Sequence, residues 1–515
     1  MKKLNTMCMV LAVLLIAASG MVSAAGFVEP PTEWDETYDV VVIGAGFAGL
    51  AASERAAALG ASTVLIDRMP FVGGNSVING GVYASYTSAK ADEWYEALGL
   101  EPDTFDKHVE DSIAGGDGFP RRELVEQWVA GAPHFLNMMI ENGLELRKSI
   151  TMPGGHYGFR TYTTANQSGS DIVIVQQRMA QEAGVDIRLE TNMTYIYREA
   201  PMAGRVLGVR VEQGDSVINI KADKAVILAT GGFGGDIEMR QRHVPWIDAS
   251  TPTTNHRGAA GDGLQLAQLV GANTIHMAFV QLYPFANPDN GVLDPIAVVP
   301  FSGPSGGIVY VDAEGRRYVN EGERRDINSL AAIATGMYPT FSIFSDDMYG
   351  SFTTAADLER AIARGRVLVA DTLEELAAEI SAHTYAGNEV NMSGEVLAQT
   401  IARHNEFVVQ GNDSDFGKVI TPGTTLPMLE GPYYAIPQWP SVHHTMGGVE
   451  INARAEVLDI YGDVIPGLLA AGEVTGGVHG SNRLGSNAIP DAAVFGLIAG
   501  EVAVNGEPPV FEIFR

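Results

Sequence analysis

Residues 40–67 read VVVIGAGFAGLAASERAAALGASTVLID and decide the fold. An apolar run leads into three spaced glycines, a helix of small residues follows, and a second apolar run ends in an acid. Gly44 allows the tight turn out of the strand, Gly46 lets the backbone approach a pyrophosphate, and Gly49 lets the helix pack close to the sheet. Asp67 is placed to accept from a ribose hydroxyl. The stretch predicts a strand–turn–helix–strand unit that binds a dinucleotide.

The amino terminus carries a candidate export signal. Residues 1–26 read MKKLNTMCMVLAVLLIAASGMVSAAG, with two lysines, an apolar run and then small residues. This order is typical of a secretory signal peptide, cleaved after Ala24 or Ala25. The apolar run is shorter than the roughly 20 residues that cross a bilayer, and no later segment offers an equivalent stretch. We therefore expect a signal peptide over residues 1–25, no membrane insertion and a periplasmic mature protein.

Cysteine usage limits the groups that the chain can hold by itself. Cys8 is the only cysteine of the 515 residues, and it lies within the predicted signal. Disulfides, iron–sulfur clusters, thiolate zinc sites and a c-type haem all need cysteine. The sequence therefore predicts none of these groups in the mature protein, no metal site, and an electron supply from another molecule.

The formal net charge of −29 bounds the partners. Such an acidic surface argues against nucleic acid and anionic membranes, and it repels anionic substrates at long range. An anionic ligand would need a locally basic pocket. The acidic surface can attract a basic partner, although solubility explains it as well.

Three regions follow from the pattern along the chain. After the nucleotide unit, residues 88–143 have the apolar spacing of helices, and residues 172–234 predict a helix, strands and a hairpin before a buried strand. The composition changes over residues 276–432, where loops rich in Pro, Gly and Asn alternate with helices. We therefore predict one domain in two parts, 38–275 and 433–515, interrupted by a second domain over 276–432.

Several glycine-rich and charged motifs occur in a fixed order. They are GAGFAG at 44–49 with Asp67, GGNSVINGG at 73–81, ATGGFG at 229–234, GDG at 261–263, NEGERRD at 320–326, HHTMGG at 443–448 and AGEVTGGVHGSNRLGSNAI at 471–489. In these motifs the chain resembles the flavoprotein family of fumarate reductase and succinate dehydrogenase. Its resemblance is to the soluble flavocytochrome c and urocanate reductase branch, without the haem domain.

The resemblance implies an α/β fold in which a Rossmann-like FAD-binding domain is interrupted by an inserted α+β clamp (capping) domain. Covalent members carry a histidine in the segment that reads NSVING here, so the resemblance implies noncovalent FAD. The residues implied to bind the cofactor are Gly44, Gly46, Ala48, Gly49, Asp67, Asn75, Ser76, Gly80, Gly81, Asp262, His444, Glu473, Ala488 and Ile489.

The resemblance also implies how the substrate is handled. Flavin N5 delivers hydride to an electrophilic carbon, while His443 and Arg483 grip a carboxylate, which suits the planar fork of guanidinium. Arg325 is implied as the proton donor; since arginine is a poor acid with a pKa above about 12, a second carboxylate clamp is the alternative role. Arg324 beside it is expected to be a surface or interdomain charge. The implied substrate-binding residues are Gly81, Tyr283, Arg325, His443, Arg483 and Ser486, of which Tyr283, Arg325, His443 and Arg483 are the predicted catalytic set.

Two departures from the family pattern concern the far end of the substrate. Tyr283 precedes Pro284 where fumarate reductases carry a carboxylate-gripping histidine, and urocanate reductases carry a tyrosine there. The family's proton-relay Glu and Arg fall near Pro300 and Gly303 here. Asp289 or Asp294 is the candidate substitute for that relay.

The expected function is an exported FAD-dependent reductase that saturates the carbon–carbon double bond of an α,β-unsaturated carboxylate. Candidate substrates are urocanate, cinnamate-like acids, acrylate and methacrylate, with fumarate as the alternative. A flavin-dependent ketosteroid dehydrogenase and a noncatalytic flavin carrier are the other two classes. The expected electron donor is a separate periplasmic cytochrome c, in anaerobic respiration.

Overall fold

The computed structural model describes residues 27–350 and 352–514. The predicted signal peptide over residues 1–25, with Cys8, lies outside the described residues. The strands are β1 Glu36–Ile43, β2 Thr63–Ile66, β3 Val82–Ala84, β4 Leu146–Thr151, β5 Thr161–Thr164, β6 Asp186–Arg188, β7 Thr191–Ala200, β8 Ala203–Gln213, β9 Ser216–Leu228, β10 Thr274–Ile275, β11 Val280–Ala286, β12 Val309–Val311, β13 Thr340–Ser345, β14 Leu368–Ala370, β15 Thr384–Tyr385, β16 Asn388–Glu389, β17 Tyr433–Thr445, β18 Gly448–Glu450, β19 Glu456–Leu458, β20 Val464–Ala470 and β21 Thr475–Gly476.

Helices alternate with these strands in the first part of the chain and cluster in the inserted part. They are α1 Phe47–Ala58, α2 Ala91–Leu98, α3 Phe105–Gly115, α4 Arg122–Glu141, α5 Ser170–Glu182, α6 Ile237–His243, α7 Asp262–Leu269, α8 Val298–Ser302, α9 Arg325–Ala334, α10 Asp346–Tyr349, α11 Ala355–Ala363, α12 Leu373–Ser381, α13 Gly394–Gln410 and α14 Ala488–Asn505.

The central sheet carries the nucleotide unit. Its order is β19-β20-β9-β1-β2-β6, and all neighbours from β20 to β6 are parallel. Strand β2 and the second half of β1 are fully buried, as expected for parallel strands covered on both faces. Helix α1 follows β1 and packs on α14, where Gly496 lets the two backbones approach: an added Cβ would lie 2.3 Å from the carbonyl oxygen of Ala48. Both parts of the chain therefore build one core.

A second hydrophobic core lies in the inserted part. It contains Tyr283, Phe301 and Phe341 and ends at Ile436, around a sheet of order β11-β17-β13-β12 to which β14 adds. The first half of β17 pairs with β13 in this core, and its second half pairs with β11 beside the nucleotide unit. The predicted fold class, an α/β unit interrupted by an α+β unit, is confirmed. The boundaries at 276 and 432 stay a prediction.

Helix α14 is the helix in the described part that is long and apolar enough to cross a membrane. However, 72% of its apolar window is buried inside the protein. Its neighbours are α1, α4 and the central sheet. The hydrophobicity of α14 is therefore explained by its position in the core.

Candidate active site

A single large cleft collects the predicted site residues. It encloses about 1750 Å³, counting its open mouth, and lies at the carboxyl ends of β1, β2 and β9. Ligands of open α/β sheets bind in the crevice outside the carboxyl ends of the strands, which is where this cleft lies. The predicted residues that line it are Gly44, Gly46, Ala48, Asp67, Asn75, Ser76, Gly80, Asp262, Tyr283, Arg325, His443, His444, Glu473, Arg483, Ser486, Ala488 and Ile489.

The two remaining predicted residues, Gly49 and Gly81, lie against neighbouring chain instead. A Cβ on Gly49 would lie 1.7 Å from the carbonyl oxygen of Gly44, which is the close helix packing that the motif predicts. Gly81 has a φ of +60°, and a Cβ there would lie 2.3 Å from Oγ1 of Thr164. Both glycines therefore act in the structure through backbone packing.

The turn after β1 forms the nucleotide end of the cleft. Gly44 has a φ of +106°, and an added Cβ would lie 2.2 Å from the carbonyl oxygen of Ala229. The carboxylate of Asp67 accepts from the backbone N–H of Ala45 at 2.7 Å and of Met69 at 2.8 Å. Burial raises the pKa of Asp67. A carboxylate has about four lone-pair positions, so Asp67 can still accept from a ribose hydroxyl.

The loop with Asn75 and Ser76 covers the start of α1. Ser76 Oγ accepts from the N–H of Phe47 at 3.0 Å, and Asn75 Oδ1 accepts from the N–H of His256 at 2.7 Å. Two observations fit a large polar ligand in this part of the cleft. The hydroxyl of Thr230 is buried without a partner, and a Cβ on Gly231 would meet open space.

The other end of the cleft contains Arg325, the first residue of α9. Its guanidinium lies between two aromatic faces, 4.8 Å from the ring centre of Tyr283 and 4.6 Å from that of Phe301. Nη1 donates to Oε1 of Gln281 at 3.3 Å, while Nε is buried without a partner. Burial lowers the pKa of Arg325 to about 10. Removal from water therefore makes this guanidinium a better acid than a solvated one, although Tyr283 acts in the opposite direction on its pKa.

Arg483 places a second buried guanidinium in the same space. Its Nη1 donates to the carbonyl oxygen of Leu484 at 3.4 Å, and its Nε has no partner. Burial, and then the charge of Arg325, hold the pKa of Arg483 well below its usual range. Within the described ranges, neither Arg325 nor Arg483 forms an ion pair with a carboxylate. This end of the cleft therefore carries two buried cations without a close ion pair, and Glu473 and Asp491 offset the charge of Arg483 only from a longer distance.

Two histidines from β17 face these cations. His443 Nδ1 lies 2.7 Å from the hydroxyl of Thr254, which leaves Nε2 for a ligand. Burial, with the charge of Arg483, lowers the pKa values of His443 and His444 far enough to keep both rings neutral. His444 Nδ1 lies 3.8 Å from Glu473, and because His444 is neutral this contact is not an ion pair. Burial raises the pKa of Glu473 to about 6.

Tyr283 presents its ring to the cleft. The ring centre is 4.9 Å from that of His443, and the hydroxyl donates to the carbonyl oxygen of Ala297 at 3.1 Å. Because the hydroxyl hydrogen is already bonded to Ala297, the group of Tyr283 that a substrate meets is its face.

The two candidate relay acids point to other partners. Asp289 accepts from the N–H of Ala386 at 2.8 Å, and Asp294 pairs with Arg366 at 2.7 Å. Neither belongs to the cleft lining over the described ranges. Pro300 and Gly303, at the positions of the family's relay pair, flank Phe301.

Several residues of the site were not predicted from the sequence, and Gln281, Thr254 and Phe301 are the ones that contact the predicted catalytic set. Gln281 precedes Tyr283 by two positions on β11, so the two-residue period of a strand could have placed it on the same face. Thr254 and Phe301 come from irregular or short segments and carry no motif.

The fold and the cleft define a dinucleotide-binding α/β protein with a second, cationic pocket. The family-wide pattern of the FAD binding domain matches residues 39–489. Urocanate reductase of Eggerthella lenta is 33% identical over 470 residues, which cover 90% of this chain and 74% of that protein. The chain therefore belongs to the FAD-binding family of fumarate and urocanate reductase flavoproteins, and FAD is the dinucleotide of this cleft.

Two further comparisons agree with this family. NADH:fumarate oxidoreductase of Klebsiella pneumoniae is 33% identical over 91% of this chain, and the chain spans 48% of that relative's length. The open conformation of a flavocytochrome c3 fumarate reductase superposes with a TM-score of 0.70 and 33% identity, covering 93% of this chain and 79% of that one. These matches cover the central sheet and the inserted unit alike.

Proposed function

We propose that this chain is an exported, periplasmic FAD-dependent reductase that saturates the carbon–carbon double bond of an α,β-unsaturated carboxylate. The observation that carries the proposal is the pair of buried guanidiniums, Arg325 and Arg483, each with an unpartnered Nε and no ion-paired carboxylate among the described residues. Burying a charge without a partner is costly. A carboxylate ligand offsets that cost.

Each protein group has a defined part in the reaction. Arg483 and His443 hold the carboxylate and draw electron density from the double bond. Arg325, whose pKa is lowered to about 10 by burial, donates the proton to one carbon of the double bond. The nucleotide end, with the turn at Gly44 and Asp67, would hold FAD noncovalently, and the reduced cofactor would supply the hydride for the other carbon. Both carbons become saturated, and two electrons are consumed.

Tyr283 sets the preference at the far end of the substrate. Its ring face suits an aromatic, heteroaromatic or short apolar group, and it carries no positive charge for a second carboxylate. Urocanate, cinnamate-like acids, acrylate and methacrylate are therefore favoured over fumarate. The electron donor in this proposal is a periplasmic cytochrome c that serves anaerobic respiration.

The test is turnover of an enoate panel with a reduced viologen as donor. Urocanate, cinnamate, acrylate, methacrylate, fumarate and a 3-ketosteroid with an artificial acceptor are compared by kcat/KM. We expect a monocarboxylic enoate to exceed fumarate by at least about tenfold, since a hydrogen bond to a charged group contributes about 1.5–3 kcal/mol. Faster turnover of fumarate supports the fumarate alternative. Turnover of the steroid alone, or of no compound, rejects the proposal.

Arg483→Ala provides a second, independent test. Arg483 would contact the carboxylate in the ground state and more strongly in the transition state, where negative charge develops, so its removal should raise KM and lower kcat together. A matched variant is Arg364→Ala, which changes an arginine outside the cleft lining. An unchanged KM for Arg483→Ala contradicts the carboxylate grip.

A further inference from the structure

The end of helix α3 contacts both segments that carry the buried guanidiniums. We call residues 115–117, Gly-Gly-Asp, the clip. Arg325 starts α9 in the inserted unit, and Arg483 follows β21 in the nucleotide unit. Neither guanidinium is held by a carboxylate of its own, so their separation depends on the chain on either side of them.

The first contact of the clip is with Arg324, the residue before Arg325. Arg324 Nη1 donates to Asp117 Oδ1 at 2.6 Å, and Nη2 donates to Oδ2 at 3.2 Å, in a two-pronged pair. Nη1 also donates to the carbonyl oxygen of Gly115 at 3.2 Å. Arg324 lowers the pKa of Asp117, so the carboxylate stays charged at neutral pH.

The second contact of the clip is with the residues before Arg483. The hydroxyl of Ser481 donates to Asp117 Oδ2 at 2.5 Å, and Asn482 Nδ2 donates to the carbonyl oxygen of Gly115 at 3.2 Å. The carboxylate of Asp117 and the carbonyl of Gly115 therefore each accept hydrogen bonds from both segments, the one before Arg325 and the one before Arg483. One short loop thus connects the residue before Arg325 to the residues before Arg483.

We propose that Asp117 is a positioning residue that sets the separation of Arg325 and Arg483, through Arg324 on one side and Ser481 on the other. The inference rests on the proposed function, because only a carboxylate held between two cations makes their separation matter. Nucleotide binding does not depend on this contact. Asp117 therefore acts on the reaction and leaves FAD bound.

The contact is also reversible. The Asp117 side chain is 47% exposed and that of Arg324 is 19% exposed. Ion pairs at such positions are weak and are screened by salt. The clip can therefore open and form again without unfolding either unit.

Asp117→Asn is the central variant. Asp117 has a φ of +57°, a region that asparagine tolerates as well as aspartate, so the backbone is preserved. The matched control is Arg147→Gln, which breaks the Arg147–Asp357 pair at 3.2 Å. That pair also joins the nucleotide unit to the inserted unit, but it touches neither guanidinium-bearing segment.

We expect Asp117→Asn to lower kcat about threefold to fivefold, because an exposed ion pair is weak but a small misplacement of the guanidiniums slows the reaction. FAD content and reoxidation of the reduced protein by dioxygen should stay at wild-type values. Arg324→Gln should behave alike, and the double variant should be no slower than the slower single one, since coupled residues are not additive. Arg147→Gln should keep the wild-type kcat.

Salt gives a separate readout. Raising ionic strength should slow the wild type and the Arg147→Gln variant towards the Asp117→Asn rate, while Asp117→Asn should respond little. If Asp117→Asn fails to bind FAD, Ser481→Ala replaces it and should raise KM through the Arg483 segment. Equal kcat for Asp117→Asn and wild type, or an equal loss in Arg147→Gln, overturns the positioning role. Absence of enoate turnover by the wild type overturns the proposed function instead.

Discussion

The two ends of the cleft are built by opposite means. At the nucleotide end, the turn at Gly44 and the loop with Asn75 present backbone groups, and the charged side chains Arg68 and Asp262 form an ion pair with each other. At the substrate end, Arg325 and Arg483 are buried without an ion-paired carboxylate in the described part of the chain, although Glu473 and Asp491 act on Arg483 from a longer distance. At the first end, the charges of Arg68 and Asp262 balance each other without a ligand. At the second end, an anionic ligand would form the close ion pairs that the two guanidiniums lack.

This difference separates stability from reactivity. Close backbone packing, as at Gly49, is part of the fold, so a change there affects folding and cofactor binding together. An unpaired buried cation costs folding free energy, so its removal affects the reaction while the fold keeps or gains stability. Variants at the nucleotide end should therefore lose stability and FAD, and variants at the substrate end should lose turnover.

The largest expected effect is that of Arg325→Met, which keeps the side-chain volume and removes the charge. General acid catalysis is worth about 10²–10⁴-fold, and we expect a loss of kcat in that range. The free energy of unfolding, from urea titration, should equal or exceed that of the wild type, and the ratio of FAD to protein should be unchanged. A loss of kcat below about tenfold would mean that Arg325 binds the substrate and that another group donates the proton.

At the nucleotide end, Gly49→Ala should lower stability and FAD content, which Arg325→Met leaves unchanged. Its new Cβ would lie 1.7 Å from a backbone oxygen that cannot move without opening the turn. Overpacking of this kind costs about 1–3 kcal/mol or more, so we expect lower unfolding free energy and lost FAD. Gly350→Ala, where the backbone is right-handed helical and a Cβ would meet open space, is the control. FAD retained by Gly49→Ala would show that the helix can shift.

The same contrast explains what the sequence could predict. The glycines of residues 44–49 act locally, so β1, α1 and β2 follow from their spacing. The second strand of the hairpin predicted after residue 205 and the buried strand that follows it form one continuous strand, β9, whose first part pairs with β8, the first strand of the hairpin. Pro437 and Pro440 argue against a central strand, yet β17 runs through both and joins the two cores.

The substrate end was predicted only where motifs reach it. The motifs supplied Arg325, His443 and Arg483, but their charge balance depends on which carboxylates lie nearby, and this is a property of the folded chain. The aromatic contact of Phe301 with Arg325 joins segments 24 positions apart through a loop with no motif. The hydrogen bond from the hydroxyl of Tyr283 to the carbonyl oxygen of Ala297 likewise has no sequence pattern that predicts it.

A smaller effect concerns Glu473, which lines the cleft between the two ends. Burial raises its pKa to about 6 from 4.5, so the unfolded state loses the proton first as pH rises. Stability is therefore lost between about pH 4.5 and 6, with a total cost of about 2 kcal/mol above that window. The side chain in Glu473→Gln does not titrate, so the stability of this variant should not fall across that pH window.

The check is urea unfolding of FAD-free protein at pH 5 to 7.5. The difference between Glu473→Gln and the wild type should grow by about 1 kcal/mol over this range. Glu123→Gln, at an exposed position of α4, is the control. A constant difference would mean that Glu473 is stabilised as the carboxylate by the N–H and hydroxyl of Thr445.

The smallest effect tests how the substrate end uses Tyr283. Its hydroxyl donates to Ala297, while its ring lies against Arg325 and His443, so Tyr283→Phe removes a structural hydrogen bond and keeps the face. We expect about 1 kcal/mol less unfolding free energy and a kcat/KM for the preferred enoate within about threefold of the wild type. Tyr283→Ala should lose the face and with it the preference over fumarate. An equally severe loss of activity in Tyr283→Phe and Tyr283→Ala would contradict this role. It would mean that the hydroxyl of Tyr283 donates to the substrate and not to Ala297, and that the far end of the pocket binds a polar group.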